Sequence, residues 1–139
     1  MNKSDEMLLD AVAEAVGRGE KAVLTVRGRS MLPYLHADAE RVELTAAGDV
    51  RPGDIVLARV DDGTRYVLHR VVDMAPDGRL TLMGDANLHL REHCRREDVA
   101  GVVSIVIADD GVRRRPSRAW LWRKLWRMRP LLVKLFRMR

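Results

Sequence analysis

The chain has 139 residues, 47% of them hydrophobic and 32% charged, with a formal net charge of +5, which suits a single folded core. Its one cysteine excludes an internal disulfide framework, and no run of eighteen uncharged apolar residues is present to form a conventional transmembrane helix. The N-terminus is acidic and lacks the basic start of a signal peptide, so we expect a cytoplasmic location.

The charge is unevenly distributed along the chain. Eleven Lys and Arg residues and no acidic residue lie from Arg113 to Arg139, which leaves 14 basic against 20 acidic residues before them. We therefore divide the chain into an N-terminal helical segment (1–20), a core (21–112) and a basic tail (113–139). An acidic domain with a basic tail indicates that the tail contacts an anionic partner.

The N-terminal segment predicts a short amphipathic helix over residues 5–16. Ser4 is a favourable N-cap, and the acidic residues after it suit the positive end of the helix dipole. Apolar residues then recur on one helical face, and Gly17 and Gly19 provide a stop.

The first strand, predicted at 21–26, runs into Gly28-Arg29-Ser30-Met31-Leu32-Pro33. Glycine allows a sharp turn, and proline biases the residue before it towards an extended conformation, so a hydroxyl lies at a corner. Ser30 is a candidate nucleophile if a base lies within hydrogen-bond reach. Otherwise it is a turn serine that bonds its own backbone.

The rest of the core reads as short strands separated by Gly and Asp turns. After an extended segment at 31–35, strands are predicted at 41–44, 55–60, 65–73, 79–83 and 99–107. Residues 88–98 are polar and give no clear assignment. Many short strands and one early helix predict a mainly β fold with a barrel-like core.

Two of these strands carry groups that could act on Ser30. His69 lies inside the apolar strand at 65–73, and Asp85 follows Gly84 at the end of the strand at 79–83. A neutral imidazole can serve as a base near physiological pH, and a carboxylate can orient it. Taken singly, the histidine also fits a hydrogen-bonded core residue and the aspartate a turn residue.

The polar segment suggests a competing metal site. His89 and His93 would share a face if the segment were helical, and Cys94 follows them. Zinc accepts nitrogen and thiolate ligands. A fourth ligand is not evident in the sequence, so we assign no metal and no cofactor.

The basic tail predicts an amphipathic helix, kinked or broken at Pro130, that contains all three tryptophans of the protein. A cationic face beside an aromatic face suits an anionic membrane surface, and the tryptophans favour lipid or a protein groove over nucleic acid. Packing on the core or on a second copy is the alternative. The expected contact residues are Trp120, Trp122, Trp126, Arg123 and Arg127.

Three motifs in this order, Gly-Arg-Ser-Met-Leu-Pro, Leu-His-Arg-Val-Val and Gly-Asp-Ala-Asn, resemble the serine-peptidase clan of type I signal peptidases and LexA-like self-cleaving repressors. The resemblance spans residues 23–107. It is nearest to the endoplasmic-reticulum-type signal peptidases, whose base is histidine. LexA-like self-cleavage would need a lysine base near the serine. Lys21 is the one lysine of the core, so the sequence favours the histidine-type peptidases over self-cleavage.

The resemblance implies a coiled β-sheet barrel core, with Ser30 as nucleophile and His69 as base. Asp85 is the expected orienting acid, and the alternatives are Asp98 or a Ser–His dyad with neither aspartate. Backbone N–H groups at the Ser30 turn would bind the oxyanion. A peptide or protein substrate would add as a strand along the 31–35 edge, in contact with Met31, Leu32 and Pro33, with a shallow pocket for small residues before the cut.

The expected function is therefore that of a signal-peptidase-like serine endopeptidase that cuts a leader or membrane-proximal peptide. We expect it in the cytoplasm, peripheral on the inner face of the membrane through its tail. The alternative is a catalytically inactive peptidase-fold module that the tail attaches to a membrane or partner.

Overall fold

A computed structural model describes residues 3–28, 30–31, 34–37, 39–87, 89–116, 130–131 and 134–135. The predicted mainly β architecture is confirmed in the part that these ranges cover. The elements are α1 (Lys3–Gly17), β1 (Ala22–Thr25), β2 (Arg41–Thr45), β3 (Ile55–Val60), β4 (Arg65–Met74), β5 (Leu80–Met83), β6 (Glu92–Cys94), β7 (Val99–Ile107) and β8 (Arg113–Arg114), with a short 3-10 helix at Arg96–Asp98.

All eight strands belong to one antiparallel sheet. The order is β1-β2-β7-β3-β4-β5-β6, and β8 pairs with the end of β7. Strands β1 and β6 lie at opposite ends of this order, so the sheet is open across the described residues and the predicted barrel closure is not found there.

The β3–β4 hairpin turns at the predicted Asp-Asp-Gly signal. Asp61 and Asp62 have φ angles of 54° and 57° and Gly63 has 84°, all in the left-handed region, which Asp tolerates better than most residues. The amide of Thr64 donates to the Val60 carbonyl at 3.1 Å. This turn sets the register of β4 against β3 and with it the position of His69, opposite Val56.

Helix α1 packs its apolar face on the sheet. Val12 and Val16 are buried, and the helix begins two residues earlier and ends one residue later than predicted. Oδ1 of Asp10 accepts hydrogen bonds from the hydroxyl of Tyr66 at 2.7 Å and from Nη2 of Arg59 at 2.6 Å. These bonds connect the helix to strands β3 and β4.

The segment after Ser30 is not extended as predicted. The amide of Leu35 donates to the carbonyl of Met31 at 2.9 Å, which closes a turn. Both side chains are buried, at 0% and 2% exposure, and folding the backbone back places both in the core. The described ends of this segment therefore belong to a turn and not to a strand, and the pairing of a substrate along it stays a prediction.

The last strand attaches the start of the basic tail to the sheet. Arg113 and Arg114 of β8 form ion pairs with the buried carboxylates of Glu43 and Glu40, the second at 2.9 Å. The guanidinium of Arg114 also lies 5.7 Å from the ring centroid of Tyr34, and that of Arg70 lies 4.8 Å from the same ring. The first residues of the basic tail are thus attached to the core by several contacts.

Within the ranges described, no helix is both long enough and apolar enough to cross a membrane. The tail residues expected to contact a membrane or partner lie outside the described residues. They are Trp120, Trp122, Arg123, Trp126 and Arg127.

Candidate active site

Ser30 and His69 lie against the same glycine. A Cβ atom at Gly84 would be 3.0 Å from Cβ of Ser30 and 3.1 Å from Nε2 of His69. The predicted nucleophile and base are therefore neighbours, although 38 residues of chain lie between them. No side chain larger than hydrogen fits between them at position 84.

The corner that carries Ser30 depends on the conformation of Gly28 and on a hydrogen bond from Ala86. Gly28 has a φ of 73°, a left-handed conformation that glycine adopts without strain. The amide of Ala86 donates a hydrogen bond of 2.8 Å to the Ser30 carbonyl oxygen. The turn after β5 therefore fixes the serine backbone next to strand β4.

Glu92 of strand β6 orients the imidazole. Its Oε1 contacts Nδ1 of His69, and the two side chains are only 4% and 7% exposed. Glu92 pairs with Leu82, two residues before Gly84, and so lies on the same face of the sheet as that glycine. A carboxylate that accepts the Nδ1 proton leaves Nε2 as the acceptor on the side of Ser30.

The second oxygen of this carboxylate is unusual. Oε2 of Glu92 is buried and has no hydrogen-bond partner in the described part of the chain. An unpaired buried oxygen costs free energy, and such groups often mark functional sites. A positive charge that develops on His69 would offset this cost.

Asp85 does not take the orienting role predicted for it. Its Oδ1 and Oδ2 accept hydrogen bonds from Nε and Nη2 of Arg70 at 3.0 and 2.8 Å, and the two side chains are 2% and 0% exposed. Nη1 of Arg70 donates to the carbonyl of Gly53 at 2.8 Å. Arg70 follows His69 on β4, so its side chain points to the opposite face. The pair therefore supports the turn after β5 from behind the site.

Sequence reasoning missed Glu92 because it falls within residues 88–98, which had no assignment. Asp98, the other candidate acid, instead accepts a hydrogen bond of 2.8 Å from the amide of Arg95 in the turn before the 3-10 helix. In the structure Glu92, His93 and Cys94 alternate between buried and exposed positions. No local pattern predicts this for Glu92, because glutamate is rarely buried.

Ser30, His69 and Glu92 line one cavity of about 290 Å³, together with Met31 and Leu90. This volume lies at the lower end of the range found for ligand pockets. In the described residues His69 bonds Glu92 and not the Ser30 hydroxyl. Catalytic hydrogen bonds are often long before substrate binds. Leu32 and Pro33, also predicted to contact substrate, lie outside the described residues.

The competing metal site is not formed. His93 lies on a strand, is exposed and contacts the hydroxyl of Thr81, whereas Cys94 points the other way and is buried. The helical spacing that would bring His89 and His93 together is therefore absent. No group of three or more His, Cys, Asp or Glu side chains in the described ranges could hold a metal ion.

Comparison with known proteins gives no relative. No family model, no curated protein and no solved structure matches the chain. The resemblance to histidine-type signal peptidases therefore rests on the three motifs alone.

Proposed function

We propose that the protein is a serine endopeptidase with Ser30 as nucleophile, His69 as general base and Glu92 as the residue that orients the base. The observation that carries this proposal is the convergence of Ser30 and His69 on Gly84, with Glu92 bound to the far nitrogen of the imidazole. These residues come from three separate segments of the chain, and they share one cavity.

In this mechanism Oγ of Ser30 attacks the carbonyl carbon of a peptide bond while Nε2 of His69 takes its proton. The imidazolium is stabilised by Glu92. The carbon–nitrogen bond then breaks, the proton passes to the leaving amine, and an acyl-enzyme remains. A water molecule activated by the same nitrogen hydrolyses the acyl-enzyme and restores the serine.

A backbone group supports this chemistry. No backbone hydrogen bond of the described residues uses the N–H of Ser30 as donor. That N–H is adjacent to the attacking oxygen, and backbone N–H groups of this kind stabilise the oxyanion that forms during acyl transfer.

The order of the motifs favours kinship with the signal-peptidase and LexA clan, and the open antiparallel sheet that carries them is compatible with a coiled sheet of that kind. The basic tail would hold the enzyme at the anionic cytoplasmic face of a membrane. Its substrate would then be a leader or membrane-proximal peptide.

The test is digestion of a proteome-derived peptide mixture by the full-length protein, with new termini read by mass spectrometry. The parent protein and Ser4→Ala, a matched control at an exposed serine, should cut the same bonds. Ser30→Ala and His69→Gln should cut none of them. If the cleavage pattern survives Ser30→Ala, the peptidase proposal is wrong.

A second candidate is a catalytically inactive module on the same fold. The absence of a hydrogen bond between Ser30 and His69 in the described residues favours it. In that case the parent protein would cut no peptide, and Ser30→Ala would bind its partner as the parent protein does.

A further inference from the structure

A second cavity adjoins the active-site cavity. It has a volume of about 300 Å³ and lies between helix α1 and strands β1, β3 and β4. Its wall on the helix side includes Leu8 and Leu9, and its floor includes Leu24, Leu57 and Leu68. Its lining is therefore mainly aliphatic.

The two cavities share part of their lining, and we refer to them together as the groove. Both are lined by Arg27 and by the consecutive residues Tyr66, Val67 and Leu68 of strand β4. His69 follows directly on the same strand. A peptide whose carbonyl reached Ser30 would thus bring neighbouring side chains next to helix α1, because an extended chain advances about 3.3 Å per residue.

Helix α1 is firmly held where it borders the groove. Asp10 accepts hydrogen bonds from Arg59 and from Tyr66, and Tyr66 lines both cavities. Leu8, two residues away on the helix, is nevertheless 49% exposed. Binding of an apolar ligand that covers this side chain would be favourable, because it removes apolar surface from water.

We propose that helix α1 forms one wall of the substrate groove. Leu8, Leu9 and Leu24 make a subsite for a large aliphatic or aromatic side chain of the peptide, within a few residues of the bond that is cut. The position of the cut rests on the proposed peptidase function, whereas recognition of the apolar side chain does not. This subsite adds a preference for a large apolar side chain to whatever the cavity next to Ser30 selects.

The experiment compares three forms of the full-length protein on the same peptide mixture: the parent, Leu8→Asp and Met7→Asp. Leu8 is half exposed, so a carboxylate at this position stays in contact with water and the first variant should fold. Met7 is its matched control, because it is 71% exposed on the same helix and lines neither cavity.

We expect the parent to favour Leu, Met or Phe at one position near the cut. Leu8→Asp should lower kcat/KM about tenfold for peptides with Leu at that position and leave peptides with Ala there unchanged. Met7→Asp should behave as the parent. Cleavage without this preference, or equal behaviour of the two variants, would overturn the subsite while the peptidase function stood.

A peptide-binding experiment distinguishes the proposed subsite from the proposed peptidase function. Immobilised Ser30→Ala should retain peptides rich in large apolar residues, and Ser30→Ala combined with Leu8→Asp should not. If no peptide is cut but this retention is seen, the peptidase function fails and the groove stands. If peptides are neither cut nor retained, both proposals are wrong.

Discussion

Glu92 contacts His69 across the sheet, although the two residues are 23 positions apart and the whole of strand β5 lies between them in the chain. The contact depends on the β4–β5–β6 meander, because the register of β6 on β5 places Glu92 opposite Leu82. Strand β6 has only three residues, so a single short strand determines the orientation of the proposed base.

Glu92→Gln should therefore lower the rate of peptide cleavage by about 10⁴-fold, because an amide can hold the imidazole in the wrong tautomer and does not stabilise its charged form. Initial rates on one cleaved peptide measure the effect. Glu97→Gln, at an exposed glutamate in the 3-10 helix, is the control and should keep the parent rate. Equal rates for the two variants would remove Glu92 from the mechanism.

Asp85→Ala should act on stability. The change leaves the guanidinium of Arg70 buried without its carboxylate, and breaking such a pair costs about 3–5 kcal/mol. Urea denaturation followed by circular dichroism should show a lower midpoint. Asp73→Ala, at an exposed position on β4, should leave the midpoint nearly unchanged. An unshifted midpoint for Asp85→Ala would mean that the pair does not hold the turn after β5.

Gly84→Ala should separate the nucleophile from the base. The added methyl group would lie 2.5 Å from the carbonyl oxygen of Ser30, and a backbone atom cannot move aside cheaply. We expect cleavage to fall by about 10²-fold, since misplacement by an ångström has effects of that size, and stability to fall by about 1–3 kcal/mol. Gly48→Ala is the control, because a Cβ at Gly48 meets nothing within 4 Å. Normal activity of Gly84→Ala would contradict the close approach.

The thiol of Cys94 should react slowly with alkylating reagents. Burial, with a smaller contribution from the charge of Asp98, raises its pKa from 9.0 to about 11. At pH 8 the folded protein should react with iodoacetamide about a hundredfold more slowly than the urea-unfolded chain, because only the thiolate reacts. Mass spectrometry of the alkylated fraction against time measures both rates, and similar rates would contradict the raised pKa.

The same shift predicts a pH dependence of stability. The folded state holds the thiol proton more tightly than the unfolded chain does, so the contribution to the free energy of unfolding is complete below about pH 9 and is lost as the pH rises through about 11. Cys94→Ala should reduce the fall in stability over this window, measured by urea denaturation at each pH.

Local patterns predict most of the strands. The runs at 55–60 and 99–107 are rich in β-branched residues and have the bounds that the structure shows. The segment at 31–35 is predicted incorrectly because burial of Met31 and Leu35 outweighs the local preference for an extended chain. Tertiary contacts of this kind leave no local signal.

The residues of the candidate site also differ in whether local sequence patterns can predict them. Ser30 and His69 can be selected from motifs, because each lies in a recognisable local context. The partner of His69 cannot, since the choice between Asp85 and Glu92 depends on the register of β6 and on Arg70, which binds the aspartate on the other face of the sheet.

The binding of Arg113 and Arg114 to the sheet decides where the chain can be shortened. A protein that ended before Arg113 would lose β8, its two ion pairs and the contact of Arg114 with the ring of Tyr34. Loss of activity in such a protein would not distinguish damage near Tyr34 and Arg70 from the absence of the basic tail. Truncation after Pro116 keeps all of these contacts, so it is the boundary at which attachment and folding can be studied separately.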